Sequence, residues 1–254
     1  MVRTNASHSK RVSKPPVYHP NGRRVHNKLL LSLPKGECEA IFAKVEFVCL
    51  PVRTVLNETG LPIKSAYFIN GGLASILTTV NGGKSVEVGL CGQEGFVGLP
   101  LAAGFSSSPT RILMQVAGSA FRVSAKDFVE ALRECPSLGA ALHRFTLELA
   151  LQAAQVAACN RLHEVEERLA RWLLMSQDRL GGDVVPLTQE FLAHILGTRR
   201  ASVTVAAGIL QKADLITYMR GSIKIKNRAK LEDATCECYG SMTEQVKKWQ
   251  AETK

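Results

Sequence analysis

The chain has 254 residues, 46% hydrophobic and 21% charged, with a net charge of +10. That is room for two globular domains of ordinary composition; no apolar run is long enough to span a bilayer, and the polar N-terminus is unlike a secretory signal. Seven scattered cysteines without framework spacing fit a reducing cytoplasm better than a disulfide-stapled fold. The charge is unevenly placed. Residues 1–28 hold seven Lys/Arg and no acid, and residues 187–230 hold eight Lys/Arg against two acids. Positive charge gathered on two short stretches is the footprint of a phosphate-binding protein.

Residues 1–28, with Pro15, Pro16 and Pro20 and no apolar period, read as a basic disordered tail. Residues 29–135 read as one β-rich domain. It opens on a short helical stretch whose buried side is Leu29, Leu30, Leu33, Ile41 and Phe42. Short strands follow at 45–51, 54–56, 65–69, 74–79, 85–90, 112–116 and 119–123, separated by turn signals at Gly60, Asn70-Gly71-Gly72, Asn81-Gly82-Gly83, Gly92 and Gly104. Asn81-Gly82 is a strong hairpin signal. Many short strands with regular glycine turns argue for an antiparallel jelly roll or barrel. A helix over 125–134, with Ser124 as N-cap, closes the domain.

Residues 136–161 predict a long dimerisation helix. Leu138, Leu142, Phe145, Leu149, Gln152, Val156 and Cys159 recur in steps of four and three, a heptad seam that must be buried on the roll or against a twin. The reading favours a homodimer, with Gln152 fixing register by bonding its symmetry mate. A further helix over 162–178, with Val165, Leu169, Trp172, Leu173 and Met175 as its apolar side, ends at Gly181-Gly182-Asp183.

Residues 162–231 form the reading domain. Thr188 caps a short amphipathic run bearing Phe191, Leu192, Ile195 and Leu196. Gly197 permits the left-handed backbone of a sharp turn. The second run turns Val203, Ala206, Ala207 and Leu210 inward, and its early turns expose Arg199, Arg200, Ser202 and Thr204, types suited to the edges and phosphates of the DNA major groove. Strands at 215–219 and 223–225 flank Arg220-Gly221-Ser222. The pattern is a winged helix-turn-helix. Residues 232–254 form a C-terminal tail with one or two short helices.

Two stretches, EVEERLARWLL at 164–174 and LTQEFLAHILGTRRASVTVAAGILQKADLI at 187–216, carry a resemblance. With the order roll, long helix, hinge and winged helix, they resemble the Crp/Fnr family of bacterial transcription regulators over roughly residues 29–230. The resemblance implies an α+β protein with an N-terminal cyclic-nucleotide-binding-like roll as sensor. It also implies a cytoplasmic homodimer that binds a palindromic double-stranded operator and engages RNA polymerase. Arg200 stands where the family places a guanine-contacting arginine. Ala201 stands where many members have a cytosine-reading glutamate, so a different half-site is expected. Val205 replaces a position that is basic in several relatives. Thr188 and Gln189 match phosphate-contacting positions; Thr198, Arg199, Ser202, Val203, Thr204, Arg220 and Ser222 complete the expected DNA-binding set.

The family's nucleotide pocket uses a Gly-Glu pair and an Arg followed by Ser or Thr. Here Gly98 is followed by Leu99 and Arg111 by Ile112, and near the purine positions Ala153 and Ala154 carry no hydroxyl. A ribose hydroxyl buried without its acceptor costs about 1–3 kcal/mol, so the degenerate pocket is expected to bind cyclic AMP weakly or not at all. Arg111 is left for another anion or for a structural ion pair, and an unknown small-molecule effector stays open. No cofactor or metal is expected: the cysteines lack cluster spacing, Cys236-Glu237-Cys238 offers two ligands only, and His163 and His194 read as packing or surface residues. No nucleophile–base pair or phosphate-cradling loop suggests an enzyme. The alternative is a ligand-binding module whose helix-turn-helix contacts protein; the basic reader argues against it.

Overall fold

A computed structural model describes residues 16–80, 85–187 and 189–252. The chain runs α1 (Lys28–Ser32), α2 (Lys35–Phe42), β1 (Glu46–Leu50), β2 (Val55–Asn57), β3 (Ser65–Thr79), β4 (Ser85–Cys91), β5 (Phe96–Val97), α3 (Leu99–Ala102), β6 (Arg111–Ser124), α4 (Ala125–Glu134) and α5 (Pro136–Leu162). It continues through α6 (Val165–Leu180), β7 (Val184–Pro186), α7 (Gln189–Ile195), α8 (Arg200–Lys212), β8 (Ile216–Met219), β9 (Ser222–Ile225), α9 (Arg228–Asp233) and α10 (Cys238–Glu252).

The named strands of the roll pair antiparallel, in the order β1-β6-β3-β4, with β2 also on β6 and β5 on β3. Its core is aromatic: Phe68, Phe96, Phe121 and Phe128 are fully buried, and the Phe96 and Phe128 rings stack at 4.8 Å. Ser124 caps α4 by accepting the Asp127 N–H, as the sequence predicts.

Two glycine signals have another meaning here. The strands expected at 65–69 and 74–79 are one strand, as are those expected at 112–116 and 119–123. Gly71, Gly72 and Gly118 lie inside this ribbon, where the β3–β6 register shifts three times between Ile69 and Ala74. A Cβ on Gly118 would sit 1.9 Å from the Gly71 carbonyl oxygen, and Gly72 has φ +81°. The glycines let two backbones cross in contact and bend without breaking. The Asn81-Gly82 hairpin signal lies outside the described residues; the strands flanking it pair antiparallel, Thr79 opposite Ser85.

The tail expected over 1–28 is structured from residue 16. His19 is buried, its Nε2 3.1 Å from the Phe42 carbonyl oxygen and its ring against Phe42 and Phe121. Asn27 is fully buried; its amide donates to the Ile69 and Gly95 carbonyls at 2.8 Å, and its Oδ1 caps α1. The polar composition hid this because the segment is anchored by hydrogen bonds to the roll more than by its own apolar surface.

The long helix α5 is as predicted, but its stripe faces inward. Leu138, Leu142, Phe145, Gln152, Val156 and Cys159 are buried within the single chain, and Leu149 packs on the roll's core. Gln152 accepts the Leu90 N–H at 3.0 Å and donates to the Leu90 carbonyl at 3.3 Å. It therefore pairs with strand β4 and not with a symmetry mate. Periodicity shows that a helix face is buried, not what covers it.

A second core joins α6, α7, α8 and the wing to Leu73, Leu90 and Val116 of the roll. Within it Glu87 is buried beside Trp172. The Trp172 Nε1–H donates to Glu87 Oε1 at 2.8 Å, and Glu87 Oε2 is 2.5 Å from the Ser75 hydroxyl, which also contacts Gln115 Oε1. The residues after the wing are not a loose tail. Helix α10 packs along α5 and α6, and Tyr239 donates to Asp178 at 2.8 Å.

Candidate nucleic-acid interface

Helix α6 is the floor of the reader. Its N-terminus is a capping box between Glu164 and Glu167, and Gly181 ends it in the left-handed conformation (φ +71°). Trp172, Leu173 and Leu174 are buried beneath α8, whose inner face is Val203, Ala206, Ala207 and Leu210. Gly197 makes the α7–α8 turn with φ +58°. Arg168, buried on α6, donates to the Leu196 carbonyl at that turn. The angle of α8 is thus fixed by a packed floor, a glycine and a buried guanidinium.

Helix α8 begins with two arginines, Arg199 at the N-cap and Arg200 in the first turn, with no acid in that turn and no side-chain cap. Both are exposed, and neither forms an ion pair among the described residues. Cations there oppose the helix dipole, which favours negative charge at an N-terminus by about 0.3–1 kcal/mol. The arrangement makes sense when the negative charge comes from a ligand. Thr204, one turn on, is exposed and donates its hydroxyl to the Arg200 carbonyl at 3.0 Å.

The other expected contacts divide. Ser202 and Thr198 are half-buried on the same side. Val203 is wholly buried and cannot touch a ligand; three residues beyond Arg200 it points into the core. Thr188 and the side chain of Gln189 lie outside the described residues. In the wing, Arg220 and Gly221 form the exposed two-residue turn joining paired Met219 and Ser222, and Ser222 is half-buried. Strand β7 on the far side of β9 completes a three-stranded wing. The sequence reading omitted Val205 from the contact set, yet it is 64% exposed beside Ala201 on the outer face of α8. Its signal was available, since 201 and 205 are out of phase with the inner positions 203, 206, 207 and 210. Not all the reader's charge is free: Lys226 pairs with Asp214, and Arg228 with Asp178 and Glu232.

Residues 167–234 match the model of the Crp-like helix-turn-helix domain family. The reader is a Crp-like helix-turn-helix domain. Around it the fold follows that of Crp/Fnr regulators over 76–82% of the chain. FixK2 from Bradyrhizobium japonicum superimposes with a TM-score of 0.65 at 15% identity, over 76% of this chain and 98% of that one. A transcriptional regulator assigned to the Crp/Fnr family from Eubacterium rectale gives 0.63 at 14%, over 82% and 98%. The regulator CLP of Xanthomonas campestris, described as responsive to c-di-GMP, gives 0.63 at 17%, over 76% and 100%. No curated protein sequence matches the chain. No helix among the described residues is long and apolar enough to cross a membrane.

The expected effector pocket of the roll falls at β5, α3 and the start of β6. Gly98 (φ +122°) leads into α3, where Leu99 packs on the core; Ile112 is buried. Arg111 lies 3.3 Å from Glu58 in a half-exposed ion pair, the structural one of its two expected roles. The larger cavity of about 570 Å³ lies elsewhere, between α1, α5 and α10, lined by Lys28, Glu94, Phe145, Glu148 and Trp249.

Proposed function

We propose that the chain is a homodimeric transcription regulator that reads a palindromic DNA site through α8 and clamps the backbone with its wing. The observation that carries this reading is the pair of exposed arginines, without an ion pair among the described residues, at the N-terminus of α8 in a Crp-like domain. Arg200 reaches O6 and N7 of one guanine; Arg199, Thr204, Arg220 and Ser222 hold phosphate or neighbouring edges. Ala201 and Val205 offer only apolar surface, which suits thymine methyl groups and sets the half-site apart from one read by a glutamate. Arg200→Ala should lose about 1–3 kcal/mol of discrimination at one symmetric base pair without changing oligomeric state. Competition binding against a set of single-base operator variants checks this; an unchanged preference would remove Arg200 from the base-reading role.

The dimer reading survives on a different face of α5. Leu147 is 58% exposed, Leu162 is 73% exposed, and Ala150, Ala154, Ala157 and Ala158 are exposed between them. These positions recur in steps of three and four, the spacing of a two-helix seam. Leu147→Glu combined with Ala154→Glu should convert a dimer to a monomer with the fold unchanged, as read by sedimentation and circular dichroism. A double variant that stays dimeric would place the interface elsewhere.

The degenerate roll, with Leu99 in the core and Arg111 on Glu58, does not take cyclic AMP in this reading. RNA polymerase is the partner expected of a regulator bound beside a promoter.

A further inference from the structure

Two hydrophobic cores account for nearly all the buried apolar side chains. A third buried cluster stands apart and consists of three thiols alone: Cys159, Cys236 and Cys238. The imidazole of His163 joins them. One ligand atom from each of the four residues lies within 4.8 Å of every other. Cys159 Sγ is 3.5 Å from Cys236 Sγ, and Cys238 Sγ is 3.6 Å from His163 Nδ1. With Zn–S about 2.3 Å and Zn–N about 2.0–2.1 Å, the edges of a tetrahedral Cys₃His site are about 3.8 Å for S–S and about 3.6 Å for S–N. The pocket already has the dimensions of one ion.

The surroundings are those of a metal site as well. His163 Nε2 lies 3.2 Å from Glu237 Oε2, an arrangement in which the carboxylate holds the Nε2–H tautomer and turns the Nδ1 lone pair toward the thiols. Gln155 donates its amide to Cys238 Sγ at 3.1 Å, as an outer donor does to a coordinated thiolate.

We propose that Cys159, His163, Cys236 and Cys238 bind one Zn²⁺ in a closed tetrahedral site that ties the C-terminal end of α5 to the start of α10. Binding converts three thiols to thiolates and releases their protons to solvent; no electron is transferred. Four protein ligands leave no open position, so the ion is structural. Its place matters, because His163 is the hinge residue between α5 and α6. The ion would fix the angle at which the long helix hands over to the reader. Sequence spacing missed the site because Cys159 lies 77 residues before Cys236, so the Cys236–Cys238 pair offers two ligands alone.

Elemental analysis of the full chain, purified under reducing conditions without chelator, should find about one equivalent of zinc. The zinc-free chain titrated with Co²⁺ should show thiolate-to-cobalt charge transfer and the intense visible bands of tetrahedral cobalt. Cys159→Ser and Cys236→Ser should each bind zinc at least 100-fold more weakly. Glu237→Gln should weaken it about 10–100-fold, and Cys49→Ser, on an exposed thiol of β1, should bind as the unmutated chain does. The unmutated chain's cobalt spectrum decides the matter even if a serine variant fails to fold. Less than a tenth of an equivalent of zinc with no tetrahedral cobalt spectrum would overturn the proposal. So would recovery of iron with sulfide, or of a Cys159–Cys236 disulfide as the purified state.

Discussion

Raising the pH from 4.5 to 7.5 is expected to remove about 3 kcal/mol of stability from the contact between the roll and α6, and Glu87→Gln to abolish that dependence. Glu87 is fully buried, and burial pushes its carboxyl up to about 7 against the opposing pull of Ser75, Trp172, Arg171 and Arg179. The geometry agrees. Ser75 has one hydroxyl proton for two facing oxygens, Glu87 Oε2 and Gln115 Oε1, and a proton on Glu87 balances the trio. Turning the Gln115 amide balances it too, and the pH response separates the two.

Between the ordinary value of 4.5 and the raised value of about 7, the folded chain holds a proton that the unfolded chain has released. Stability is therefore full below 4.5 and falls as pH rises through 7. Holding the carboxyl at about 7 rather than 4.5 corresponds to about 3 kcal/mol. Glutamine keeps an acceptor for the Trp172 N–H and a donor for Ser75 without titrating. Urea unfolding of both proteins across this range isolates the effect in their difference; a difference that does not change with pH would mean Glu87 is ionised throughout.

Gly118→Ala should cost on the order of 3–5 kcal/mol. Its Cβ would meet the Gly71 oxygen at 1.9 Å, the Gly71 carbon at 2.3 Å and the Gly72 Cα at 2.6 Å. All three atoms are backbone, so no rotamer change relieves the clash, and the β3–β6 ribbon must separate. Gly208→Ala is the contrast: it lies in α8 at ordinary φ with nothing within 4 Å of the new methyl, and should gain up to about 1 kcal/mol of helix propensity. Denaturant midpoints of the two variants check the pair. A Gly118→Ala protein as stable as the unmutated one would mean the strands do not cross as described.

The reader was legible in the sequence because several independent signals coincide on it. The inner positions 203, 206, 207 and 210 mark one face, Gly197 marks the turn, and the arginines fall on the opposite side. The roll was legible as a class but not in its connectivity, since Gly71-Gly72 and Gly118 look like turns in a one-dimensional string. Only the crossing of two backbones reveals what their missing side chains are for. The stripe on α5 declared a buried face without declaring its cover: the roll covers it from Leu138 to Gln152, and the segment at the start of α10 covers Cys159. Val203 joined the contact set by position in a motif, although its apolar phase already assigned it to the core. The thiol cluster was hidden for a plainer reason: its ligands come from the ends of two helices far apart in the chain, and neither pair is distinctive alone.

Selection of bound DNA from a random pool, followed by titration of the recovered site at increasing salt, tests the central claim most directly. The expected result is a two-fold symmetric site containing a guanine in each half, with affinity falling about 10³-fold or more between 50 and 200 mM salt and unaffected by cyclic AMP. Recovery of no preferred sequence, with binding no tighter than that of an unrelated basic protein, would contradict it.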